Sequence, residues 1–260
     1  MSMRNHLGHI YCLFLLAGFV LAGCTAESPG TLSNDELADR FQQLLSDAVT
    51  SDPAVHSATM LVDAPLRQLG WKGAAGTADP AEDRPMTVED QFRTASLGKM
   101  TLATLVMKHI EAGYFQLDDV IHQYLSDSIM TGLHIFQGQD YGHDMTIHQL
   151  LNHSSGLPDY ITDGDEDADG LPDFLELLIA DPLKFWTPEE TIEYTKLHLM
   201  PFFRPGHGFH YSDTNFQLLG LILQNVTQKP LHVLYRDELF DLLGMDHTYL
   251  EYYDDPRPSI

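Results

Sequence analysis

Cysteine is nearly absent: the 260 residues hold two, Cys12 and Cys24, both close to the N-terminus. The chain beyond them can form no disulfide, whatever its compartment. Basic residues are scarce too, with 14 Lys+Arg against 38 Asp+Glu and a formal net charge of −24. A field of that sign repels phosphate backbones and anionic lipid surfaces, which argues against nucleic acid as a partner; the bland reading is a solvated acidic surface. No Gly-x-Ser-x-Gly elbow occurs anywhere, which argues against an α/β-hydrolase. His148 and His153 stand five apart without the glutamate of a zinc-protease helix, so no metal site is expected there. The apolar run 10–20 is too short for a comfortable membrane span. What remains is a globular composition, 43% hydrophobic and 20% charged, long enough for one large domain or two lobes.

The first residues read as a leader. Arg4 precedes the apolar run, and Leu21-Ala22-Gly23-Cys24 follows it, a pattern that resembles the bacterial lipobox. That resemblance implies a lipoprotein signal peptide over 1–23 and lipidation of Cys24. It also implies a tether over 24–32 and an exported lipoprotein facing the periplasm or cell exterior, with the folded domain over 33–260. An ordinary signal peptide with a chance cysteine is the alternative.

Ser33-Asn34-Asp35-Glu36 is a cap signal for an amphipathic helix through Leu37, Phe41, Leu44, Leu45 and Val49. Two strands are expected over 55–62 and 68–73, around a turn at Asp63-Ala64-Pro65. A polar loop over 79–89 then leads to Phe92-Arg93-Thr94-Ala95-Ser96-Leu97-Gly98-Lys99-Met100 and an apolar segment to Ile110. Ser96 and Lys99, three apart at a helix start, fall on one face. A lysine amine held dry beside a hydroxyl can act as its base, and the helix N-terminus favours developing negative charge. The bland reading is a capping serine followed by a solvated lysine. Past Gly113, the segment Leu117 to Leu125 reads as a turn and short helix.

Three segments decide between these readings: Phe92 to Leu125, Thr146 to Pro158 with its core Asn152-His153-Ser154-Ser155-Gly156-Leu157-Pro158, and Arg204 to Gly220 with Tyr211-Ser212-Asp213-Thr214-Asn215. With Leu242 to Tyr249 they resemble, in one order, the serine β-lactamase-related family of class C β-lactamases, D-alanyl-D-alanine carboxypeptidases and similar esterases. The resemblance implies an α/β fold of β-lactamase/transpeptidase type, an antiparallel sheet flanked by helices plus a helical lobe. It implies Ser96 as the acylated nucleophile, Lys99 as its partner and Tyr211 as the group that passes the proton to the leaving group. A phenol beside a cationic lysine can serve as base and then acid. Asp213 stands at a substrate-binding position where many members carry asparagine. A carboxylate cannot donate to a substrate carbonyl and favours a protonated lysine, which puts β-lactam turnover in doubt more than ester or peptide hydrolysis. The segment Leu150 to Pro158 is expected to pack under the site's floor, and His207 and His210 have no evident partner.

Asp165-Glu166-Asp167-Ala168-Asp169-Gly170 with Asp173 and Glu176 fits an oxygen-ligand calcium loop, glycine at the bend and a carboxylate at position twelve. Its ligands would be Asp165, Asp167, Asp169, Asp173 and Glu176, with the Leu171 carbonyl. An acidic surface loop is the alternative.

One family motif is not found: Lys or His, Thr or Ser, then Gly, on a strand whose backbone N–H supplies half of the oxyanion hole. His247-Thr248-Tyr249 lacks the glycine. The expectation is therefore a sheet incomplete at its C-terminus, from a fragment or a truncated gene, in a chain that folds poorly or reacts slowly. The expected function is acyl-enzyme hydrolysis of an amide or ester, whether D-alanyl peptide, β-lactam or simple ester. The substrate would be a small molecule or peptide, no cofactor is needed for catalysis, and a structural Ca²⁺ is possible. A catalytically silent lipoprotein of the same fold, binding peptidoglycan or a partner, is the alternative.

Overall fold

Ser33 opens the first helix, and the computed structural model describes residues 32–79 and 81–254. The signal segment 1–23, Cys24 and the tether up to residue 31 lie outside the described residues. The chain separates into two compact units, the first ending at Val88 and the second starting at Glu89.

In the first unit, α1 (Asn34–Ser51) begins with a capping box: the Glu36 N–H donates to Ser33 Oγ, and Glu36 Oε2 accepts from the Ser33 N–H. It packs beside an antiparallel sheet in the order β1 (Ser57–Ala64), β2 (Leu69–Asp79), β3 (Arg84–Pro85). The Phe41 and Trp71 rings lie 5.3 Å apart, and Gln42 Nε2 donates to the Ala74 carbonyl at 3.0 Å. The turn comes later than the sequence suggests. β1 continues to Ala64, and the reversal is a 3₁₀ turn over Pro65–Arg67 closed by Gln68 at φ +53°. Proline at its first position presets φ for that turn. β2 also outlasts the expected strand, through Gly76, where a Cβ would lie 2.2 Å from the His56 carbonyl oxygen. The expected polar loop contributes β3, joined to β2 through an irregular register at Thr77 and Asp79. Among the described residues β1 is an edge strand, with Leu61 exposed.

The second unit is helical. α2 (Gly98–Glu111) buries Leu102, Leu105, Val106 and His109 and leaves Met100 and Met107 exposed, so it is buried on one face only. The segment after Gly113 forms a 3₁₀ turn, Ile121–Gln123. There follow α3 (Asp127–Met130), a hairpin of β4 (Ile135–Phe136) and β5 (Gln139–Asp140), and α4 (Ile147–Leu151), capped reciprocally by Thr146 and Gln149. Beyond these lie α5 (Asp173–Ala180), α6 (Pro188–His198), α7 (Asp213–Thr227) and α8 (Leu231–Tyr235), the last running into a π turn, Arg236–Phe240. The core joins Leu105 and Val106 of α2, Ile147 and Leu150 of α4, and Leu218 and Ile222 of α7, all of them 0–1% exposed. Burying one such side chain stabilises the fold by about 1.5–3 kcal/mol. α2 and α7 are thereby locked together, and the residues at their N-termini meet.

Candidate active site

Ser96 lies in a 3₁₀ turn, Ala95–Leu97, immediately before α2 rather than within it. Ala95 holds φ at +47°, an uncommon conformation for a residue with a Cβ and a local strain of order 1 kcal/mol. The strained turn leaves Ser96 exposed at the N-terminal end of a 14-residue helix, whose dipole favours negative charge there. Lys99, one turn on, donates to Ser96 Oγ at 3.1 Å.

α7 supplies the facing side. Asp213, its first residue, forms an ion pair with Lys99, both side chains being less than a fifth exposed. Lys99 Nζ also stands 4.9 Å from the centroid of the Tyr211 ring. Burial alone would lower the pKa of Lys99, but hydrogen bonding to Asp213 and to Tyr211, with the charge of Asp213, outweighs it and holds the lysine above its ordinary value. Lys99 is therefore an ammonium at neutral pH. The structure thus brings Ser96, Lys99, Tyr211 and Asp213 together. Asp213 is turned to Lys99, which occupies the carboxylate that the sequence reading assigned to substrate.

The segment after α4 forms the floor. Ser155, Gly156, Leu157 and Pro158 are buried, and the Pro158 carbonyl accepts from Ser212 Oγ at 2.7 Å and Thr214 Oγ1 at 2.8 Å. Gly156 sits at φ +84°, where a Cβ would fall 2.1 Å from the Phe203 carbonyl oxygen, so only glycine fits. Asp159, 2% exposed, accepts from the Asp213 N–H at 3.4 Å, and burial, chiefly, raises its pKa. His153 contacts the site directly: its ring stacks on Tyr211 with centroids 4.4 Å apart. Sequence reasoning missed His153, Asn215 and Asp159, because nothing in their spacing separates them from packing residues. His210 has a partner after all, Asp163, at 2.7 Å. A cleft of about 340 Å³ adjoins Lys99 and Asp213, with Tyr160, Trp186, Tyr235 and Tyr253 among its walls.

The arrangement is a hydroxyl at a helix N-terminus, hydrogen-bonded to a lysine that stands over a tyrosine ring, beside an apolar cleft. Compared with protein families, residues 45–259 match the family described as Beta-lactamase. The chain belongs to the beta-lactamase family. Among its relatives, Protein flp of Staphylococcus aureus (strain MW2) is 29% identical over 163 residues, 61% of this chain and 28% of that protein. Esterase EstB of Burkholderia gladioli is 29% identical over 162 residues, 62% of this chain and 38% of that protein. Of solved structures, the D-amino acid amidase from Ochrobactrum anthropi SV3 complexed with L-phenylalanine amide superposes with a TM-score of 0.67 at 27% identity. That match covers 85% of this chain and 54% of the amidase. This beta-lactamase-family chain thus spans well under half of the length of those two curated relatives and about half of the amidase.

The acidic segment precedes α5. Carboxylate oxygens of Asp165, Asp167 and Asp173 lie within 4.8 Å of one another, whereas Asp169 and Glu176 stand outside that group. Asp165 accepts from the Asp169 and Gly170 N–H groups, each at 3.0 Å, and Gly170 holds φ at +92°.

Proposed function

We propose that this chain is a serine hydrolase of the beta-lactamase family that acts through an acyl-enzyme at Ser96. The observation that carries the reading is Lys99, 3.1 Å from Ser96 Oγ, paired with Asp213 and set against Tyr211. Lysine as an ammonium has donors only, so it orients the hydroxyl and stabilises charge but cannot take the proton. As Oγ bonds to the carbonyl carbon, the Ser96 proton passes to the Tyr211 oxygen while the phenol gives its own proton to the leaving amine or alcohol. The scissile bond breaks with Tyr211 again a phenol, and water then resolves the acyl-enzyme. The helix N-terminus and the Lys99 charge favour the transient oxyanion. No step calls on a cofactor.

The apolar, aromatic cleft suits an acyl or leaving group with an apolar side chain, as in a hydrophobic ester or an aromatic D-amino acid amide. Asp213, a carboxylate paired with Lys99, has no hydrogen to donate to a substrate carbonyl, which disfavours β-lactams. The test is turnover of a chromogenic aromatic ester, D-phenylalanine amide and a chromogenic β-lactam by the wild type and by Ser96→Ala. Ester or amide turnover that vanishes with Ser96→Ala is expected. Equal turnover by the variant contradicts the reading.

A structural Ca²⁺ at Asp165, Asp167 and Asp173, with Asp169 and Glu176 completing the set, is the second part of the proposal. Its support is the convergence of the three carboxylates around a left-handed Gly170. The Glu176 carboxyl is held above its ordinary value by desolvation and then by the charges of Asp169, Asp167, Asp173 and Asp165, a repulsion that a cation would relieve. Calcium at about 100 times its Kd would stabilise the fold by about 2.7 kcal/mol. Equal thermal midpoints in chelator and in excess calcium would contradict it.

The third part is export as a membrane-anchored lipoprotein through Cys24, supported by the sequence pattern alone. Incorporation of labelled fatty acid that persists in Cys24→Ala would contradict it.

A further inference from the structure

His153 has no part in the chemistry above, yet its imidazole is built into the wall behind Tyr211. The two rings lie nearly parallel, at 28°, with centroids 4.4 Å apart, and Phe216 lies 5.3 Å from the same imidazole. Lys99 Nζ stands beside both aromatic rings, 4.9 Å from Tyr211 and 5.8 Å from Phe216. His153 Nδ1 receives two hydrogen bonds, from the Ser212 backbone N–H at 3.1 Å and from Asn215 Nδ2 at 3.2 Å. Asn215 is itself oriented by Ser155, whose Oγ donates to Asn215 Oδ1 at 2.6 Å. A backbone N–H can only donate, so Nδ1 carries no proton and the ring is neutral with its hydrogen on Nε2.

A second observation comes from the backbone. His153 follows the end of α4 at φ +58°, a left-handed position where glycine or asparagine fits with least strain. A histidine held there against backbone preference points to a use for its side chain.

We propose that His153 is the positioning residue for Tyr211: as a neutral imidazole tied to the Ser212 N–H and the Asn215 amide, it seats the Tyr211 ring beside Lys99. Gaining a proton at Nδ1 would set a donor against two donors and unseat that ring, slowing acylation of Ser96. This rests on the acyl-transfer reading above. Besides burial, the Lys99 and His210 charges oppose that protonation and Asp213 favours it, and the balance holds His153 below its ordinary value of 6.5. The acid limb of the acylation rate is then the titration of His153.

The test is the rate of Ser96 labelling by a fluorophosphonate on the full chain from about pH 5 to about pH 9, with the ¹⁵N spectrum of the histidines followed alongside. His153→Asn tolerates the left-handed backbone and keeps an acceptor, but it has no ring and does not titrate. His153→Phe keeps a ring and loses the acceptor. Both should label about tenfold or more slowly at neutral pH, and His153→Asn should lose the acid limb altogether. The wild-type limb should coincide with the His153 titration, with Nδ1 unprotonated above it. A His153→Asn variant that keeps the wild-type acid limb, variants that label at the wild-type rate, or an Nδ1-protonated ring at neutral pH would each overturn the proposal. If His153→Phe fails to fold, His153→Asn decides. A wild type that is never labelled sinks the acyl-transfer reading, and this inference with it. A labelled wild type with unaffected variants sinks this inference alone.

Discussion

Replacing Asp213 by asparagine removes the counterion of Lys99 while leaving the start of α7 in place. The two side chains are 17% and 18% exposed, between a solvated pair and a buried one. Exposed pairs contribute about 0–1 kcal/mol, and breaking a buried pair by removing one partner costs about 3–5 kcal/mol. The expected loss for Asp213→Asn is about 2 kcal/mol, which for a chain of this size lowers the thermal midpoint by about 4–8 °C. Because the wild-type lysine is held above 10.5, the difference should persist through neutral pH and close as the pH rises through that raised value. With the carboxylate gone, the burial that lowers Lys99 is opposed by Tyr211 alone, so the amine loses its proton at lower pH and can take the serine proton itself. Labelling of Ser96 by a fluorophosphonate near neutral pH should therefore rise even as stability falls. The assay is a thermal melt beside a labelling time course for both proteins over a pH series. A midpoint unchanged within about 1 °C, together with an unchanged labelling profile, would refute the reasoning.

Other expectations follow from the same contacts. Leu105→Ala empties a fully buried position where α2 faces α7 and should cost about 2–5 kcal/mol in chemical denaturation. Ala95→Gly relieves the left-handed strain beside Ser96 and should stabilise by about 0.5–1 kcal/mol; a lower midpoint would count against a strained turn. His134 and His153 are both held below the ordinary 6.5, chiefly by burial. Their contribution to stability is complete above that value and is lost as the pH falls through their lowered folded values, so the midpoint should decline on acidification. The decline should be shallower in His153→Asn, which has one fewer proton to take up.

Much of the site was legible because its chemistry is local. Ser96 and Lys99 are a turn apart, so spacing alone brings them together, and the Ser33 cap with Glu36 is equally short-range. Tyr211 and Asp213 came from the family pattern, since no periodicity joins α7 to α2. What brings them together is packing among Leu105, Val106, Leu218 and Ile222. The strand boundaries failed for a different reason. Pro65 is compatible with both the expected turn and the observed one, and only the pairing of Ala64 with Leu69 decides where β1 stops. Ser96 was expected at a helix start, and it lies in the 3₁₀ turn immediately before α2; the left-handed Ala95 that shapes this turn cannot be read from an alanine. His153 was invisible because its role depends on a backbone conformation and on two donors, Ser212 and Asn215, about 60 positions away.

The most direct test of the central claim is peptide mapping of the full chain after exposure to a fluorophosphonate or a slowly hydrolysed aromatic ester. A single covalent adduct on Ser96, absent from Ser96→Ala, is the predicted result. An unmodified Ser96, or an adduct that survives Ser96→Ala, would contradict it.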